Sequence, residues 1–196
     1  MVFDTQALNK QRQNLTDFDD IWVFGYGSLI YKVDFDHIAC ENAHIHGFER
    51  RFWQGSHDHR GTPEKPGRVL TLTPVEGATC FGKAFKVEHQ VFDHLDHREK
   101  NGYLRHSIDI HLSSNRIVQG LVYIASPDNA AYLGHASIED IAKQILNSSG
   151  PSGENKDYLF QLADALRANN EVDEHVFAIE KALYARYSNS PQVNNT

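Results

Sequence analysis

Four apolar residues, Ile21-Trp22-Val23-Phe24, run directly into Gly25-Tyr26-Gly27-Ser28. An unbroken apolar run of this length reads as a strand buried on both faces, stopped by a turn signal. Two glycines two positions apart can turn the chain sharply and let backbone N–H groups approach a ligand with no side chain between. Tyr26 and Ser28 add hydroxyl donors beside that backbone. The segment lacks the length and the lysine of a Walker phosphate loop, and its spacing is not that of a dinucleotide fingerprint. Two readings stand: a seat for a small anionic head group, or an ordinary tight turn after a strand.

The rest of the chain divides by hydrophobic period. Residues 43–53 read as extended, with Ile45, Phe48, Phe52 and Trp53 as apolar anchors. Residues 56–67 carry the Gly and Pro punctuation of a long exposed connection. Residues 68–73 form a strand, Val75-Glu76-Gly77 a turn, and 79–87 a hairpin partner. Val91, Phe92 and Leu95 then sit at helical spacing, and the helix stops at Glu99-Lys100-Asn101-Gly102. Residues 103–112 and 117–125 alternate as a second hairpin. From Ser137 the chain turns helical, with Ser137-Ile138-Glu139-Asp140 as an N-terminal cap. Further helices cover 154–168, with Tyr158, Leu159, Leu162 and Leu166 inward, and 172–187, with Val176, Ile179 and Leu183 on one face. Strands early and helices late define an α+β domain over 21–187. Residues 1–20 form a loosely held leader, with Asp17-Phe18-Asp19-Asp20 solvated, and 188–196 a polar tail.

At 196 residues the chain suits one core that needs no staples. Its net charge of −7 argues against a nucleic-acid surface. No apolar run approaches the ~20 residues of a membrane span, and no secretory signal opens the chain. With only Cys40 and Cys80, there is no disulfide framework, and the reading is a soluble cytoplasmic protein. Both cysteines are expected to be small buried hydrophobes. Twelve histidines form no Cys-rich or His-Glu-x-x-His ligand set, and there is no Gly-x-Ser-x-Gly elbow. A carboxylate remains, Glu99, placed where a short helix runs out. Taken alone, a glutamate there is ordinarily solvated.

Together, four segments change that assessment. Val23-Phe24-Gly25-Tyr26-Gly27-Ser28-Leu29-Ile30 resembles the opening motif of the γ-glutamylcyclotransferases, and more narrowly of their glutathione-specific ChaC branch. Pro66-Gly67-Arg68-Val69-Leu70-Thr71-Leu72, Arg98-Glu99-Lys100-Asn101-Gly102-Tyr103 and the stretch from Gly150 to Leu159 follow in the same order. The sequence departs from the branch at Tyr31, where Trp is usual, at Asn101, where Gly is usual, and at an inserted Leu104. The resemblance implies a mixed β-barrel with a short interleaved helix and C-terminal helices. It implies cleavage of a γ-glutamyl amide to 5-oxoproline and a free amine, with glutathione as substrate and Cys-Gly released. It makes Glu99 the general acid/base and seats the γ-glutamyl head on Gly25, Tyr26, Gly27, Ser28, Leu29 and Ile30.

Such chemistry calls for no cofactor and no metal, because the substrate's own α-amine is the nucleophile. Glu99, partly buried against Tyr26 and Tyr103, is expected to have a raised pKa. Arg68 either forks onto a substrate carboxylate or makes a surface ion pair. Tyr158 either reaches the pocket or packs in the core. Ser152 is expected to cap the following helix, His57-Asp58-His59-Arg60 to rim the site, and Trp22 and Trp53 to fill the core. The alternatives are the same reaction on other γ-glutamyl amines, or a non-catalytic γ-glutamyl-binding regulator of cation transport. A binder of an anionic ligand gains nothing from a carboxylate beside it.

Overall fold

The computed structural model describes residues 4–15 and 21–188. Asp17-Phe18-Asp19-Asp20 and residues 189–196 of the tail lie outside them. Five strands close into a barrel in the order β1 (Ile21–Gly25), β3 (Gly67–Val87), β2 (Ala39–Ser56), β4 (Tyr103–Leu112) and β5 (Ile117–Ala125). All neighbouring pairs are antiparallel except β1 with β5, which run parallel and complete the ring. Helix α2 (Val91–Arg98) sits between β3 and β4 in the chain, and α3 (Ile138–Leu146), α4 (Asn155–Ala168) and α5 (Glu174–Ser188) follow the barrel. The architecture is the mixed barrel with interleaved and C-terminal helices that the family resemblance implies.

Every residue of β1 is buried. The pleat explains the unbroken apolar run, since successive side chains leave on opposite faces. Trp22 and Phe24 join the large core shared with α3, α4 and α5, while Ile21 and Val23 join a second cluster with Phe92 and Leu95 of α2. Leu159, Leu162 and Leu166 of α4 are fully buried, each stabilising the docked helix by roughly 1.5–3 kcal/mol. Ser137 caps α3 as expected, its hydroxyl accepting the Asp140 N–H.

Three expectations change. The turn signal at Val75-Glu76-Gly77 does not fold β3 back on itself. Residues on both sides of it pair with the one long partner β2, Phe48 with Pro74 and His46 with Thr79, and the intervening residues bulge out, with Gly77 at φ +77° opposite Gly47 at φ +81°. The strand continues because β2 pairs with it again on the far side of the bulge. Residues 6–12 of the leader form a docked helix, α1 (Gln6–Arg12). Cys40 is exposed, and Cys80 is buried.

A half-buried histidine, His175, ties α5 to the barrel. Nε2 of His175 accepts the Phe52 N–H at 3.0 Å, which requires the neutral ring. Burial, reinforced by Arg51 and Arg68, pushes the His175 pKa down to about 4. In the unfolded chain the same ring takes a proton near pH 6.5, so between those values the unfolded state binds more protons. Stability present above pH 6.5 is therefore lost as pH falls towards 4, by up to about 3 kcal/mol. Urea midpoints across this window should show the loss, and His175→Gln, which keeps an acceptor without a titration, should flatten it.

Candidate active site

A cavity of about 250 Å³ opens where β1 ends. Gly25, Tyr26, Gly27, Ser28 and Leu29 all line it, and the chain leaves through a single 3₁₀ turn, Ser28–Ile30, closed by the Ile30 N–H on the Gly27 carbonyl at 3.0 Å. Gly25 is sterically required, and a side chain at Gly27 would have to displace the Tyr158 hydroxyl. A Cβ on Gly25 would stand 2.5 Å from Cβ of Leu29, and one on Gly27 would stand 2.8 Å from the Tyr158 hydroxyl. Ile30 turns the other way and packs in the core, 3 % exposed, because the tight turn sends its side chain away from the opening.

Glu99 ends α2, its N–H bonded to the Leu95 carbonyl, and its side chain lines the cavity at 23 % exposure. Burial raises the Glu99 carboxyl above its ordinary value, against the pull of Arg98 and then His59. Arg98 organises the acidic side of the site. Its Nε stands 3.1 Å from Oε1 of Glu99, Nη1 donates to Asp34 at 2.5 Å, and Nη2 donates to the Ser28 hydroxyl at 2.7 Å. One guanidinium thus links the helix end carrying Glu99 to the glycine loop.

Five tyrosines line the cavity, Tyr26, Tyr31, Tyr103, Tyr123 and Tyr158. Tyr26 donates to the Tyr123 carbonyl at 2.8 Å and Tyr103 to the Leu70 carbonyl at 2.6 Å, which locks both rings beside the carboxylate. Their hydroxyl pKa values are raised by burial first and then by neighbours that include Glu99, so they remain neutral donors. Tyr158 reaches in from α4 and also packs edge-on against Phe52 in the core, so both roles weighed for it are filled. Asp58, His59 and Arg60 from the β2–β3 connection line the mouth, and the Arg60 guanidinium lies 5.7 Å from the Tyr158 ring centroid.

Arg68 is not part of this cavity. Nη1 donates to the carbonyls of Phe52 and Gly134 at 2.9 and 3.0 Å, and Nε donates to Gln144 at 2.7 Å. It is 6 % exposed and makes neither the substrate fork nor the surface ion pair considered for it. Its place on β3 faces the helical layer, where two main-chain carbonyls take Nη1 and the Gln144 side chain takes Nε. Ser152 does not cap α4, whose cap position is Glu154 without a side-chain bond. It lies in the turn between the two-residue strands β6 (Ser149–Gly150) and β7 (Gly153–Glu154), lines the cavity, and meets Nδ1 of His59 at 3.2 Å. Sequence reasoning missed Arg98, Asp34, Tyr31 and Tyr123 as cavity residues. Arg98 had a signal in its place beside Glu99, whereas Tyr123 reaches the site only through barrel closure.

A model of ChaC-like proteins matches residues 21–186. The chain belongs to the ChaC-like family. Among its ChaC-like relatives, glutathione-specific γ-glutamylcyclotransferase 1 of Danio rerio is 43 % identical over 175 residues, spanning 84 % of this chain and 89 % of that protein. γ-Glutamylcyclotransferase 2-3 of Arabidopsis thaliana is 45 % identical over 168 residues, spanning 80 % and 84 %. The solved glutathione-specific γ-glutamyl cyclotransferase from yeast superposes with a TM-score of 0.79 at 33 % identity, covering 85 % of this chain and 96 % of that one. The ChaC-like match begins at the first residue of β1, so α1 lies outside it. Among the described residues, no helix is long and apolar enough to cross a membrane.

Proposed function

We propose that the protein is a glutathione-specific γ-glutamylcyclotransferase. The observation that carries this reading is a half-buried carboxylate, Glu99, facing the same cavity as the glycine loop and joined to it through Arg98. The named relatives from fish and yeast supply the substrate class.

The α-nitrogen of the γ-glutamyl group forms a bond to its own γ-carbonyl carbon, and the bond from that carbon to the cysteinyl nitrogen breaks. Of the three hydrogens on the starting ammonium, one stays on the lactam nitrogen and two end on the departing amine. The reaction moves protons between two nitrogens and needs no outside nucleophile. Glu99 takes a proton from the ammonium and returns it to the leaving nitrogen, and a carboxyl with a raised pKa suits both directions. Curling an extended chain so that its ends meet is worth up to about 7–11 kcal/mol in well-oriented intramolecular reactions. The glycine loop and the fixed rings of Tyr26 and Tyr103 do that work.

Incubating the protein with glutathione should yield 5-oxoproline and Cys-Gly in equal amounts, with γ-glutamyl-alanine turned over poorly in parallel. Equal rates on both substrates would remove the glutathione specificity, and no product from either would remove the reaction.

A further inference from the structure

Helix α1 lies outside the family match, yet it is bonded to the segment that carries Glu99. Thr5 is fully buried, its N–H and its hydroxyl both donating to the Lys100 carbonyl at 3.0 Å, with the Glu99 carbonyl 3.4 Å from the same hydroxyl. Asp4 bridges to Asn101. One turn later Asn9, also fully buried, donates from Nδ2 to the Tyr103 carbonyl at 3.1 Å and accepts the Arg105 N–H at 2.8 Å. Nε of Arg12 and Nε2 of Gln13 then reach the Arg105 carbonyl at 2.8 and 3.1 Å. Positions 5, 9, 12 and 13 share one face at helical spacing. That face is polar and aimed at backbone, buried at Thr5 and Asn9 and open to solvent at Arg12.

These bonds fall on both sides of Gly102, whose φ of +87° makes it the turn between Glu99 and Tyr103. The residues of α1 contribute nothing to either apolar cluster, and Leu8 is 45 % exposed. The barrel core is therefore complete without the helix, whereas the path of the chain from 99 to 105 is not.

We propose that α1 is a clamp, with Thr5 and Asn9 as positioning residues that hold the backbone of residues 99–105 so that Glu99 and Tyr103 keep their spacing around the substrate. The inference rests on the acid/base role given to Glu99. Displacements of an ångström at a reacting group can cost about 10²-fold in rate. The groups that act on the Glu99 carboxyl are Arg98 of α2, Asp34 beyond the glycine loop, and His59 of the β2–β3 connection. None belongs to residues 4–12. A change in the acid limb of the rate profile on altering α1 thus reports a moved carboxylate and not a lost charge.

The test uses the full chain with Thr5→Val, Asn9→Ala and Thr5→Ser, and Glu99→Gln as reference. The expected result is kcat lower by about tenfold or more in the first two, a nearly constant KM, and an acid limb displaced towards the ordinary carboxylate range. Thr5→Ser, which keeps both donors, should match the parent. Melting curves taken alongside separate this from unfolding. If Thr5→Val and Asn9→Ala melt earlier but keep kcat and the acid limb, the clamp is only structural and the inference falls while the role of Glu99 stands. If Glu99→Gln itself turns over normally, both fall together.

Discussion

Glu99→Gln is expected to lower turnover of glutathione by about 10²–10⁴-fold, the usual contribution of a placed proton-transfer group. Affinity should change little, because Gln keeps the length and shape of the side chain and an oxygen for Arg98, whose Nε now stands 3.1 Å from Oε1. A second readout excludes misfolding. Burial raises the pKa of this carboxyl, so the folded state favours its neutral form. An ionised Glu99 therefore costs stability at neutral pH, and the Gln variant should melt no lower than the parent. Turnover lost with stability kept or gained identifies a reacting group. The sign also fixes the pH dependence. The base form is needed, so kcat/KM should fall on the acid side with an apparent pKa above the ordinary carboxylate value, and that limb should vanish with the residue. Isothermal titration with glutathione and a rate profile from pH 4 to 8 measure both. Near-normal rates in the variant would end the assignment.

How far the sequence could be read depended on whether each signal was local. The β1 run and its glycine loop were legible because a strand end and a tight turn are decided within ten residues. Helices α3 to α5 were legible from their apolar spacing and, for α3, the Ser137 cap. The course of β3 was not, since whether a glycine turn closes a hairpin or merely bulges depends on a partner strand some thirty residues away. Helix α1 was illegible for a different reason: it docks by hydrogen bonds from Thr5 and Asn9, and hydrophobic patterning carries no trace of such a face. The arginines show the limit at the site. Arg68 was weighed as a substrate ligand and is spent on carbonyls. Arg50 drew no attention, although period two places it with Phe52 and Gln54, all three buried, while its neighbour Arg51 points out at 26 % exposure.

Arg50 should carry the largest stability effect of any single side chain outside the apolar core. It is 2 % exposed, and its guanidinium joins three elements. Nη1 donates to the Tyr26 carbonyl at 2.9 Å, Nη2 to the Phe81 carbonyl, and Nε lies 2.9 Å from Oδ2 of Asp173 as an ion pair out of line for a hydrogen bond. The other oxygen of Asp173 accepts the Val176 N–H at 2.9 Å and so caps α5. Arg50→Met removes every donor, leaving two carbonyls and the partly exposed Asp173 carboxylate without their partner. Breaking a buried pair in this way costs about 3–5 kcal/mol, which urea unfolding would register as a lower midpoint at constant slope. In a double-mutant cycle, Asp173→Asn should cost less in the Met background than in the parent, because the carboxylate it removes has already lost its counter-charge. The consequence reaches the cavity. A trans peptide points its C=O and the following N–H in opposite directions, so anchoring the Tyr26 oxygen on Arg50 turns the Gly27 N–H away from Arg50. Freed of that anchor, the peptide can rotate, and KM for glutathione should rise even at temperatures where the variant remains folded. A variant that loses less than about 1 kcal/mol, the scale of an exposed pair, would mean that the guanidinium is not the strut between α5 and the glycine loop.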